Sequence, residues 1–139
     1  MPIDFTHAEY SVELLEMRQG DYFVFGDNLL REGKSGQSVI RDCPNAIGVI
    51  TKMRPGRDYH AYIKDSDYNV ILPKIYDDID KIERLLKDGQ YVYWPAAGIG
   101  TGRAQLKKRA PMIYDRLVEL RENLFKRYPI PNSQFHNLF

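Results

Sequence analysis

The run Val92-Tyr93-Trp94-Pro95-Ala96-Ala97-Gly98-Ile99-Gly100-Thr101-Gly102-Arg103 reads as a buried strand entering a glycine-rich loop, with a helix beyond it. Glycines at three alternate positions allow positive φ and let a ligand approach the main chain closely. Successive N–H groups in such a turn form an anion-binding nest. The N-terminus of the following helix adds partial positive charge. The chemistry this suggests is capture of a phosphate or diphosphate by Gly98, Ile99, Gly100, Thr101, Gly102 and Arg103. The alternative is a strand-to-helix turn that needs glycine for geometry alone.

Earlier in the chain another loop, the first in sequence order, follows a short strand and reads Gly26-Asp27-Asn28-Leu29-Leu30-Arg31-Glu32-Gly33-Lys34-Ser35-Gly36-Gln37. Its Gly-Lys-Ser step is not a nucleotide-triphosphate loop, because that motif needs glycine where Asn28 stands. The dinucleotide fingerprint fails as well, since Arg103 occupies the place of its third glycine. Asp27 and Asn28 can bind ribose hydroxyls or hold a water, or they can serve the turn through side-chain-to-backbone bonds. Lys52 and Arg54 follow a further strand and can neutralise a phosphate, or stand as loop surface charge. Arg41 can reach a ligand from the helix after the first loop, but reads first as a solvated helical arginine. His7, His60 and His136 lack metal-ligand spacing, and neither a metal nor a cofactor is expected. Cys43, the only cysteine, lacks a matched histidine and is read as a small buried hydrophobe.

These loops need a scaffold to hold them. Tyr22-Phe23-Val24-Phe25, ending at Gly26, predicts a buried strand. A short helix over 11–19, stopped by Gly20, leads into it. Ser35 is placed to cap a helix carrying Gln37, Val39, Ile40 and Arg41, and Pro44 ends it. Residues 46–51 predict a second strand. Residues 53–67 read as loop, with 59–63 extended. Pro73 is expected to open a helix with apolar Ile75, Ile79, Ile82 and Leu86, ended by Gly89. Asp77, Asp78 and Asp80 are read as surface acids matched to its dipole. Residues 91–94 predict a third strand. A last helix starts near Pro111, with Ile113, Leu117, Leu120 and Leu124 along one side. Strands separated by helices predict an α/β layered sheet. Both glycine loops should then lie at the carboxyl edge of that sheet, where open α/β sheets bind ligands.

Composition narrows the function classes. Apolar residues make up 43% of the chain, ordinary for a globular protein. A net charge of +1 gives no global electrostatic case for nucleic acid or an anionic membrane. No apolar run is long enough to span a bilayer, and residues 1–7 do not resemble a signal peptide. A cytoplasmic protein is expected, in the host cytoplasm if phage-encoded. Residues 1–139 read as one domain with a core over about 20–127 and a tail over 128–139. Phe135 and Phe139 of that tail are candidates to pack back on the domain or on a partner.

With both loops in place, residues 22–125 resemble the macrodomain superfamily, which binds ADP-ribose and related nucleotides. Gly26-Asp27-Asn28 is similar to its Asn-containing turn after a strand. Gly33-Lys34-Ser35-Gly36-Gln37-Ser38-Val39-Ile40 is similar to its glycine-rich loop entering a helix. Trp94-Pro95-Ala96-Ala97-Gly98-Ile99-Gly100-Thr101-Gly102 is similar to its diphosphate loop, the most specific of the three matches. More narrowly, the chain resembles a compact macro-like family of bacteria and their phages, mostly without assigned function. The likeness implies a three-layer α/β/α fold with a mixed, largely parallel central sheet. It implies an ADP-ribose-type small-molecule ligand, with the diphosphate on residues 98–102 and residues 33–37 closing over the distal ribose. If the protein is an enzyme, the implied reaction is hydrolysis of an ADP-ribosyl bond or a phosphate ester. Asp27 and Asn28 are then the candidate catalytic residues, with Asp27 as general base. The alternative implied is a module that sequesters or reads a nucleotide signal. A third reading, from Lys107, Lys108, Arg109 and the aromatic tail, is a nucleic-acid or protein-interaction module; the near-neutral charge weighs against it. The departures are a first loop that is not a run of glycines and a chain short enough to lack strands.

Overall fold

A computed structural model describes residues 3–6 as backbone and residues 9–129 in full. Four strands form one sheet in the order β1-β4-β2-β3. They are β1 (Ile3–Thr6), β2 (Asp21–Asn28), β3 (Ala46–Lys52) and β4 (Tyr91–Pro95). All three pairings are parallel. The architecture is therefore α/β with a parallel sheet. The sequence led us to expect some mixed pairing, and among the described residues there is none.

The helices are α1 (Val12–Met17), α2 (Tyr68–Lys87), α3 (Leu106–Arg109) and α4 (Pro111–Arg127). The larger core packs α2 and α4 through Ile71, Ile75, Ile82, Ile113 and Leu117 onto Val24, Val49, Val92 and Trp94. A smaller core joins Leu15 of α1 and Ile40 to Phe23 and Phe25 on the alternate side-chain positions of β2. Ser11 caps α1 by accepting from the Leu14 amide at 3.1 Å. Gly89, at φ +81°, lets the amides of Gly89 and Gln90 bond Leu86 and Leu85, which closes α2 as a Schellman turn. The N-terminus of α4 is capped from elsewhere: the Asp65 carboxylate accepts the Met112 and Ile113 amides at 3.1 and 3.2 Å.

Several expectations are corrected. β1 was not anticipated, although Ile3-Asp4-Phe5-Thr6 alternates apolar and polar. β2 runs three residues past Phe25, so Gly26, Asp27 and Asn28 belong to a strand, with a register shift against β3 between Asp27 and Asn28. Pairing with β3 overrides their turn propensity. α2 begins at Tyr68, and Pro73 lies inside it. Pro73 cannot donate the helical bond to the Asn69 carbonyl, and Asn69 is an exposed residue in the first turn of the helix. Residues 59–61 form a 3₁₀ turn rather than extended chain. The helix after Ser35 is a short 3₁₀ helix, Gly36–Ile40, without a side-chain cap bond. His7, His136, Phe135 and Phe139 lie outside the described residues. Among the described residues no helix is long and apolar enough to cross a membrane.

Candidate functional site

Because β2 and β4 are neighbours, the loops leaving their carboxyl ends are neighbours too. One side chain ties them together. Gln37 accepts from the Gly26 amide at 2.9 Å and donates to the Gly98 carbonyl at 3.1 Å. Buried Thr51 of β3 lies beneath both. A Cβ on Gly26 would come within 3.3 Å of its Oγ1, and one on Gly100 within 3.6 Å of its Cγ2. Gly98 and Gly100 adopt φ of +78° and +80°. Leu106 closes over Gly100, where an added Cβ would meet it at 3.0 Å. Gly100 therefore meets a structural requirement, whereas Gly102 faces open space.

The loop's own hydrogen bonds are few. The Gly98 amide donates to Pro95, the Thr101 hydroxyl to Ala97, and the Gly100 and Gly102 carbonyls accept from Lys107 and Gln105. Among the described residues, the amides of Ile99, Gly100, Thr101, Gly102 and Arg103 donate to no protein acceptor. Backbone donors are normally paired, so this is a run of five waiting for water or a ligand.

Cations stand on the segments that follow β3 and β4. Lys52 ends β3, Arg54, Arg57 and Lys64 lie in the loop after it, Arg103 lies in the loop after β4, and Lys107, Lys108 and Arg109 belong to α3. Arg54 is paired with Asp58. Two of these cations meet Tyr62. Lys52 Nζ lies 4.9 Å from its ring centroid and the Arg109 guanidinium 4.0 Å. Burial pulls the Lys52 ammonium below its ordinary pKa, and its Nζ also donates to the Gly56 carbonyl. Arg109 further donates to Gln105 at 2.7 Å, which turns Gln105 back onto α3. Arg103 is exposed. Residues 96–110 carry four of these cations and no acid, so the near-neutral net charge conceals a basic segment after β4.

The first loop is built differently. Asp27 is 5% exposed. Its carboxylate accepts from the Asn28 amide at 2.7 Å and pairs with Arg41 at 2.6 Å and Arg31 at 3.2 Å. Asn28 clamps the turn, donating to the Glu32 carbonyl at 2.7 Å and accepting from the Glu32 amide at 3.3 Å. Arg41 is not a solvated helical arginine. It donates to the carbonyls of Gly33 and Glu32 at 2.7 and 2.9 Å, as well as to Asp27. Gly33 and Gly36 have positive φ, Lys34 pairs with Asp42, and the Ser35 carbonyl accepts from Ser38. The Gly33 to Gly36 stretch is exposed.

Asp78 was read as a surface acid and is buried, 1% exposed. It accepts from Arg31 at 2.7 Å and from the Ile50 amide at 3.0 Å. Burial pushes its carboxyl above the ordinary range, opposed by Arg31 and the Ile50 amide. Burial lowers the Arg31 pKa, but Asp78 and Asp27 outweigh it and hold the guanidinium above its usual value. Helical spacing carried a signal for Asp78, which lies three residues after Ile75 and four before Ile82. Burial raises the Cys43 thiol, with Glu16 and Asp42 adding to it, so the thiol is not activated.

Beside this cluster a cleft of about 510 Å³ opens along β3, lined by Phe25, Asp27, Gly48, Lys81, Arg84 and Leu85 among others. No residue of the 98–103 loop lines it. Among the described residues no group of side chains could hold a metal ion.

Over residues 5–120 the sequence matches a family described as a family of unknown function, DUF7831. The chain belongs to that family. No curated protein and no solved structure matches it.

Proposed function

We propose that this protein is a macrodomain-like binding module of three-layer α/β/α type, and that it takes an ADP-ribose-type nucleotide at the carboxyl edge of its sheet. The observation that carries the reading is the run of five undonated amides at residues 99–103, presented by the positive-φ glycines Gly98 and Gly100 and followed in the chain by Arg103, Lys107, Lys108 and Arg109. A diphosphate offers several acceptor oxygens and a double negative charge, which suits such a nest. Gly33, Lys34, Ser35 and Gly36, exposed and tied through Gln37 to the other loop, would cover the distal ribose.

Binding without turnover is favoured over hydrolysis. A general base must accept a proton, and the Asp27 carboxylate is already held by two guanidiniums and an amide. Asn28 is similarly committed to the turn. Both then act as scaffold for the first loop.

Isothermal titration with ADP-ribose, followed by mass spectrometry of the same sample, tests this. Gly102→Val is the informative variant, because the site is open and its φ is ordinary. The expected result is intact ligand, with affinity at least about tenfold weaker in the variant and an unchanged melting temperature. Equal affinity in both proteins removes the diphosphate assignment. A hydrolysed product moves the protein to the enzyme reading. Heat from RNA or DNA alone, falling steeply with salt, would instead make the basic segment a nucleic-acid surface.

A further inference from the structure

The cleft along β3 is lined by no residue of the 98–103 loop; Asp27, Arg31 and Arg41 of the ion cluster form one of its walls. We propose that it is a second ligand site, for a mononucleotide whose base sets an amino donor beside a ring-nitrogen acceptor, as adenine and cytosine do.

The argument starts from strand alternation. The Asn45 carbonyl accepts from the Phe23 amide of β2 at 2.9 Å. Odd-numbered residues therefore bond inward, and Ala46, Gly48 and Ile50 present their backbone groups to the open edge. Two of those groups show it directly. The Ile50 amide donates to Asp78 at 3.0 Å, and the Gly48 carbonyl accepts from Arg31 at 3.3 Å. The Arg31–Asp78 pair thus occupies the place of a further strand and closes the edge beyond Gly48.

What remains is the Ala46 carbonyl and the Gly48 amide, facing the same way and without partners among the described residues. One acceptor beside one donor is too little for a strand to add. It is the complement of the amino-and-ring-nitrogen edge of a base. Phe25 and Leu85 give the cleft apolar walls. Lys81 and Arg84, one turn apart on α2, give it a cationic rim. Both are exposed, and among the described residues neither forms an ion pair. Arg31 and Arg41 differ, being committed to Asp27 and Asp78. The phosphate therefore belongs to Lys81 and Arg84. A volume of about 510 Å³ accommodates a mononucleotide.

Amide-resolved NMR titration of the full chain with AMP tests the site apart from the proposed diphosphate loop. The expected result is saturable movement of the Gly48 amide, with residues 99–103 unmoved. Lys81→Ala combined with Arg84→Ala, both at exposed positions, should weaken AMP at least tenfold and leave the spectrum otherwise folded. Adenosine should bind more weakly than AMP and respond to neither substitution. A still Gly48 amide at millimolar AMP overturns the proposal, as does movement confined to residues 99–103. Inorganic phosphate moving Gly48 as much as AMP does would overturn the base-reading part.

Discussion

The carboxyl edge of this sheet and the ion cluster at the far part of its β3 edge treat their polar groups in opposite ways. At the β3 edge, charge is buried and answered: Asp27 has three donors, Asp78 has two, and Arg31 reaches both carboxylates and the Gly48 carbonyl. At the carboxyl edge the polar groups are plain backbone amides, and five in a row are unanswered within the described residues. Satisfied buried networks rigidify, whereas a donor left open is available to a partner. The residues that look most chemical in the sequence, Asp27 and Asn28, therefore belong to the holding side of the molecule. The chemically blandest atoms belong to the receiving side.

The comparison is broken most severely at Gly48. A Cβ there would lie 2.3 Å from Asp27 Oδ2 and 2.9 Å from its Cγ. Asp27 cannot retreat, because Arg31, Arg41 and the Asn28 amide hold its oxygens. Gly48→Ala should cost about 3 kcal/mol, from overpacking and from disruption of the ion cluster. Urea denaturation at neutral pH measures this. A loss below about 1 kcal/mol would mean that the cluster is loose rather than rigid.

Asp78→Ala comes next. It leaves the Ile50 amide and Arg31 each short of an acceptor. Breaking a fully buried pair costs about 3–5 kcal/mol. Arg31 is 39% exposed, so water recovers part of that. The expected loss is about 2 kcal/mol, read as a melting-temperature fall of roughly 5–10 °C. A double-mutant cycle with Arg31→Ala should show coupling of about 1 kcal/mol or more. Additive effects would show that the two side chains are independent.

Legibility follows the same division. Signals confined to one stretch of chain were readable. Ser11 opens α1, which stops at Met17 ahead of the expected Gly20; Gly89 ends α2, and Pro111 opens α4. The adjacency of the two glycine loops was also readable, since it follows from parallel strands with ligand loops at one end. What was hidden depends on distant partners. Gly-Asp-Asn has the composition of a turn, and only pairing with β3 makes it strand. Asp78 looks like a helix-surface acid until Arg31, 47 residues away, is placed against it. Arg41 likewise needed the carbonyls of Glu32 and Gly33 brought close. Gln37 was picked out as a ligand-binding residue, but its role as the bridge between loops required both ends in view.

Gln37 sharpens the comparison with the smallest stability effect and the clearest split between holding and receiving. Gln37→Leu preserves bulk but deletes the bonds to the Gly26 amide and the Gly98 carbonyl. Gly26 lies within strand β2, so its amide loses a partner at a half-buried position. The cost should be about 1 kcal/mol, near the lower bound for an orphaned donor, because solvent reaches the site in part. The larger consequence is geometric. Among the described residues, the Gln37 bond to the Gly98 carbonyl is the one hydrogen bond by which the first loop holds the 98–103 turn, so releasing it should blur the alignment of the five amides. ADP-ribose affinity should therefore fall further than the stability change alone explains, by about tenfold, with protection of residues 99–103 against hydrogen exchange reduced in the bound state. Equal affinity in Gln37→Leu and the parent chain would show that the turn holds its own shape. Residues 95–106 alone would then set the site, and the first loop would be a neighbour rather than a part of it.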